Sequence, residues 1–160
     1  MTTTSPLYEA TRNLPLKQIA ALVRTEVRKT LKTWNSQNAR GAGFPPDRRL
    51  DEIGVSVRLD GYRSISVDLQ LSDALYDKMG EFAEALYMDR LTERHVRDDY
   101  DFMRTYDNGK YLDLFNVYQL EKIVEEIRNQ YNYNNSDLMI DYFDVRYYGT
   151  TKFTKGKRGW

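Results

Sequence analysis

The densest run of side chains able to do chemistry is Tyr131 to Tyr148, YNYNNSDLMIDYFDVRYY. Its three aspartates, Asp137, Asp141 and Asp144, invite a metal reading. The spacing, however, lacks the central glycine and closing glutamate of a calcium loop. On a strand, Asp141 and Asp144 point to opposite faces and cannot share one ion. A turn cap at Asp137 and an Asp144–Arg146 pair account for them without metal. The single histidine, His95, sits among Asp98, Asp99 and Asp101, again with no spacing that demands an ion; it reads as a surface or helix-end residue. Glu121 and Glu125 lie four apart, where two carboxylates could serve as acid and base, yet they read as a solvated helix face. Gly41 and Gly43 are not a phosphate loop, because no Gly-Lys-Ser/Thr follows and no strand precedes. With no cysteine, thiolate chemistry and disulfides are excluded. No catalytic residue, metal ligand or cofactor is expected, and the chain does not read as an enzyme.

Binding chemistry is better represented. If residues 140–148 form a strand, Tyr142, Asp144, Arg146 and Tyr148 share its outward face, and that composition suits contact with another protein. The alternative is nucleic acid, with Tyr142 and Tyr148 stacking on bases. Phosphates would then meet Arg24, Arg28 and Lys32 on the first helix, Arg48 and Arg49 in a loop, and Lys155, Lys157 and Arg158 in the tail. Charge distribution separates these readings. Residues 12–50 carry nine Lys/Arg against Glu26 and Asp47, a balance of +7, and residues 51–151 carry −10, although the whole chain sums to zero. An acidic body repels phosphates. Protein binding therefore leads.

The elements that must position these groups follow from periodicity. Pro15 opens a helix whose apolar positions Ile19, Ala20, Val23, Val27, Leu31 and Trp34 form one stripe. Residues 35–52 read as a long loop. Ile53, Val55, Val57 and Leu59, then Ile65, Val67, Leu69 and Leu71, alternate as two strands around Asp60-Gly61. A two-residue turn would pair Leu59 with Tyr62 and throw the two apolar sets onto opposite faces. Parity therefore predicts an odd connection, of three residues with a bulge or of five. Ser72 caps a second helix running to about Leu91, with Met79, Met88 and Met103 as core filler. Residues 92–112 give a short helix or irregular segment. Asn116 and Gln119 resemble a capping box for a third helix with stripe Val117, Leu120, Ile123, Val124, Ile127. A strand over 140–148 completes the set.

The expected fold is α+β, in the order α-β-β-α-α-β. A three-stranded, mainly antiparallel sheet (53–59, 63–71 and 140–148) carries three main helices, mostly on one face. Val55, Val57, Ile65, Val67, Phe143 and Val145 would meet Ile19, Val23, Val27, Phe82, Leu86, Leu120, Val124 and Ile127. Residues 1–14 read as a flexible lead-in, 15–149 as one domain and 150–160 as a basic, mobile tail. At 160 residues the chain can build a core of its own. Mean hydropathy is −0.72, with 13% aromatics, too many for a disordered chain. No run of about 18 apolar residues predicts a membrane helix, and Met1–Ala10 lacks the basic and apolar regions of a signal peptide. A cytoplasmic setting is expected.

Three pieces carry a resemblance: Ile19–Leu31 (IAALVRTEVRKTL), Ser64–Asp68 (SISVD) and Ser136–Phe143 (SDLMIDYF). Together, over about residues 16–148, the chain resembles the large polyvalent protein-associated domains of phages and conjugative elements. The loop from Asn35 to Glu52 is longer than that pattern expects. The resemblance implies a mobile-element accessory protein in a bacterial host, working beside host-defence or DNA-handling factors. It carries over no catalytic residue.

Overall fold

The computed structural model describes residues 3–4, 6–38, 52–59, 63–134 and 147–156. In chain order these form β1 (Thr3–Thr4), α1 (Pro6–Thr11), α2 (Leu16–Asn38), β2 (Gly54–Leu59), β3 (Ser64–Leu71), α3 (Asp73–Met88), α4 (Glu93–Val96), α5 (Tyr100–Thr105), a 3₁₀ turn (Tyr106–Gly109), α6 (Leu112–Asn129), β4 (Tyr133–Asn134) and β5 (Tyr148–Lys155). The architecture is α+β around a three-stranded mixed sheet of order β2-β3-β5. The β2–β3 pair is antiparallel and β3–β5 parallel. No helix among the described residues is long and apolar enough to cross a membrane.

The hairpin obeys the parity argument. Leu59 pairs with Ile65, Val57 with Val67 and Val55 with Leu69. Five residues separate the last pair, so both apolar sets share one face; the Asp60-Gly61 turn itself lies outside the described residues. Ile65, Val67, Leu69 and Leu71 are fully buried, and α2, α3 and α6 supply Ile19, Val23, Val27, Phe82, Leu86, Leu120 and Val124 to the same core. The opposite face of the sheet is polar: Ser66 and Asp68 on β3, flanked by Arg58 on β2 and by Thr150 and Lys152 on β5.

Several expectations are corrected. The third strand is Tyr148–Lys155, in the stretch read as a mobile tail, and it runs parallel to β3. Its ladder comes from β3, which is buried on both faces and supplies a complete row of partners. Residues 140–146, including Phe143 and Val145, lie outside the described residues; Phe153 is the β5 side chain packed on the core. The lead-in carries order too. Thr3 and Thr4 pair with Asn134 and Tyr133, and Thr11 is buried, its hydroxyl donating to Leu7 O at 2.6 Å. Helix α2 continues to Asn38, four residues past Trp34, because Asn35 is engaged with Ile53, the residue before β2. Helix α6 begins at Leu112, one turn before the capping box, because Leu114 and Val117 are already in the core.

Candidate interaction surfaces

The structure disperses the residues that hinted at catalysis. Asp99 caps α5, accepting the Phe102 N–H at 3.1 Å. Asp98 pairs with Lys122 at 3.2 Å and Asp101 lies 3.8 Å from Arg104. Among the described residues no group of three His, Asp or Glu converges on one point. Asp137, Asp141 and Asp144 lie outside them.

The binding candidates are only partly brought together. Tyr142, Asp144 and Arg146 lie outside the described residues. Tyr148 is half-exposed at the start of β5, with the Arg63 guanidinium 5.8 Å from its ring centre. On the nucleic-acid side, Arg24 donates to Val57 O at 2.7 Å and Lys155 pairs with Asp77 at 3.0 Å. Arg28 and Lys32 are exposed on α2, which packs along β2, whereas Lys155 belongs to β5 across the sheet. Arg48, Arg49, Lys157 and Arg158 lie outside the described residues. On the polar sheet face, Asp68 takes an ion pair from Arg58 and has Lys152 at 3.9 Å; its buried Oδ1 has no hydrogen-bond partner.

Two features that the sequence reading missed are better formed. The first is the C-terminal end of α3. Tyr87 and Met88 are 80% and 73% exposed, so Met88 is surface and not core filler, whereas Met103 is buried and Met79 partly so. The helix closes with Leu91 N–H donating to Leu86 O at 2.8 Å and Arg90 N–H to Tyr87 O at 3.1 Å. That pair of hydrogen bonds is a Schellman closure, whose left-handed position ordinarily takes glycine. Here it takes Arg90, at φ 59, and a side chain in that conformation costs about 1 kcal/mol. Beside it, Asp89 accepts from the Tyr106 hydroxyl at 2.5 Å, a bond that pushes the Tyr106 pKa up to about 12. Tyr106 in turn stacks on Phe102, ring centres 4.9 Å apart, so the tip rests on a fixed base.

The second is a groove of about 410 Å³ between α3 and β5, lined by Tyr76, Met79, Gly80, Ala83, Thr151 and Phe153. On the wheel of α3, Tyr76, Gly80, Ala83 and Tyr87 share one face, so groove and tip are continuous. Glu93, Glu121 and Lys152 also line it. Glu121, expected on a solvated face, is 7% exposed, because its neighbours one turn away, Val117 and Val124, are core residues. Arg97 pairs with Glu121 at 3.2 Å and lies over the Tyr118 ring, and the Tyr118 hydroxyl donates to Glu93 at 2.7 Å. Burial raises the Glu121 carboxyl above its ordinary range, against the pull of Arg97. Burial and the Glu93 bond likewise raise the Tyr118 hydroxyl. Tyr118 thus stays a neutral donor to Glu93, and the Arg97 guanidinium pairs with Glu121.

No family model, no curated protein and no solved structure matches this chain.

Proposed function

We propose that this protein has no catalysis of its own and works by holding another protein against the outer face of α3. The carrying observation is the pair Tyr87 and Met88, consecutive, largely exposed and seated on a rigid helix end beside Arg90 and Leu91. Aromatic residues, methionine and arginine are the types enriched at the centres of protein interfaces. Burying two such side chains is worth about 1.5–3 kcal/mol each, enough to anchor a contact. The resemblance to polyvalent-protein domains adds the setting: a mobile-element accessory factor whose partner belongs to the host, such as a defence component. A nucleic-acid role is the second reading, supported by Tyr148 with Arg63 and the Arg58–Lys152 face.

The test is a photo-crosslinking side chain placed at position 88, with Glu126 on α6 as an exposed control. Position 88 is expected to yield a discrete adduct that excess wild-type chain competes away and the Tyr87→Ser/Met88→Ser double variant does not. Equal adducts from both positions would refute the reading. Mobility shifts of single-stranded DNA over a salt series test the second reading, which requires steep salt dependence.

A further inference from the structure

The two outer strands of the sheet are treated differently. On β2, helix α2 covers the edge: Arg24 donates to Val57 O, while the Asn35 amide donates to Ile53 O at 3.0 Å and accepts the Ile53 N–H at 3.1 Å. On β5, the Tyr148 N–H donates to Arg63 O and the Gly156 N–H to Leu71 O. Alternation then turns the even-numbered residues toward β3 and leaves Gly149, Thr151, Phe153 and Lys155 with backbone N–H and C=O facing away from it. Among the described residues β5 pairs with β3 alone. At the Gly149 end the Arg128 side chain lies close by, its Nη1 donating to Thr151 Oγ1 at 2.5 Å. At Thr151 and Phe153 the edge opens onto the α3 groove, and Lys155 beyond them pairs with Asp77 of α3.

An edge that no described strand pairs, beside a helix-walled groove, is the arrangement that receives an extended peptide as an added strand: main-chain bonds supply affinity and alternate side chains enter the groove. The groove fixes the chemistry of those side chains. Met79, Ala83 and Phe153 offer an apolar wall, and a Cβ built on Gly80 meets nothing within 4 Å, so the helix leaves room. Glu93 and Glu121 bring two carboxylates to it; Arg97 pairs with Glu121, and Lys152, which also lines the groove, is drawn to Asp68 on the opposite face of the sheet, so among the described residues Glu93 has the Tyr118 hydroxyl and no cation. Residues two apart in a strand share a face. We propose that β5 accepts, as a fourth strand, an extended segment of a partner protein carrying an apolar residue and a lysine or arginine two positions apart. The inference rests on the protein-binding reading and names its mode.

The probe is the capped heptapeptide Ser-Val-Thr-Lys-Thr-Val-Ser, which presents the pattern in both directions, titrated into the isotope-labelled full chain. Binding is expected to shift the Thr151, Phe153 and Lys155 amides and slow their hydrogen exchange. N-methylation of alternate peptide residues in the two possible phases should weaken binding at least tenfold in one phase only, and lysine-to-glutamate exchange in the peptide should weaken it severalfold. Gly80→Leu, which fills the groove from an open position, should abolish binding while leaving thermal stability intact. Equal affinity for all N-methylated forms, shifts confined to other surfaces, or no binding at millimolar peptide would overturn the proposal. So would a dimer of the chain alone that vanishes with Thr151→Pro, which would give the edge to a second copy. The crosslink at position 88 is independent of these results. Adducts there with no peptide binding retire the added strand and keep the protein-binding reading; the absence of both retires the two together.

Discussion

Replacing Gly149 by alanine tests how β5 is held in place. The position is not in the left-handed region; what requires glycine is the Arg128 side chain lying across it. An added Cβ would stand 2.8 Å from Arg128 Cδ and 3.0 Å from Cζ, and nearer still to Nε. Arg128 has little freedom to retreat. It is 8% exposed, its Nη1 is bonded to Thr151 Oγ1, and its own carbonyl accepts the buried Tyr147 hydroxyl. If the strand shifts instead, overpacking of this kind costs about 1–3 kcal/mol. If the guanidinium is expelled, it forfeits a charged hydrogen bond worth about 1.5–3 kcal/mol. Both routes converge on about 2 kcal/mol, or a fall in Tm of roughly 4–8 °C for a chain of this length. The assay is thermal and urea denaturation of Gly149→Ala, Arg128→Ala and the double variant. With Arg128 truncated the space is empty, so alanine at 149 should cost less than about 0.5 kcal/mol, a coupling that independent sites do not show. An equal penalty in both backgrounds, or none in the wild type, would refute the steric account and with it the anchoring of the β5 edge by α6.

Two further predictions concern the buried polar groups. Burial raises the Glu121 carboxyl, so the folded chain binds this proton more tightly than the unfolded chain does. Its contribution to stability therefore declines as pH rises from the ordinary carboxylate pKa through the raised folded value. Glu121→Gln cannot ionise, and Arg97 keeps partial access to water. The variant should match the wild type below about pH 4 and exceed it at pH 7; urea midpoints at the two pH values decide, and a less stable variant at pH 7 refutes the reasoning. Asn35→Ala removes the partner of both Ile53 backbone groups, where Ile53 is 1% exposed. It should cost about 2 kcal/mol and speed exchange of the Ile53 amide; unchanged protection there would show that α2 does not guard that edge.

The hairpin was legible because period-two alternation carries parity: two apolar sets that must share one core face admit only an odd connection, whatever the turn residues suggest. The third strand was not, because YGTTKFTK places one large apolar residue, Phe153, on the inner face and relies on β3 for its ladder. An edge strand docked in parallel need not advertise itself by alternation. Exposure at the α3 tip was available in principle. Met88 lies about 200° around the helix from Leu86, opposite the core stripe, and residue type alone concealed it. The same arithmetic applies to Glu121: flanked one turn either way by Val117 and Val124, it had to enter the core, and only its charge suggested a solvated face. The Arg90 conformation had no such signal, since nothing in Asp89-Arg90-Leu91 announces a left-handed residue.

The asymmetry of the sheet edges argues for function over accident. A flat, open edge is an aggregation hazard that folded proteins cover, shorten or charge. This chain has the means to cover an edge and does so on β2, with an arginine and an asparagine from the long helix beside it. On β5 the neighbouring helix stands off instead. Glycine occupies the middle of α3, at a position where alanine would fit without contact and would stabilise the helix by about 0.5–1 kcal/mol. Buried charge stands in the groove's lining, where an apolar set would pack more cheaply. The exposed Tyr87 extends the same helix face beyond the groove, and Met88 stands about 100° further round. The two lysines on β5, Lys152 and Lys155, point to opposite faces and are drawn toward Asp68 and Asp77. The glycine and the buried charge give up stability, and with Tyr87 they fall along one face of α3 and the strand beside it. Packing demands do not account for that coincidence; the added strand proposed above would.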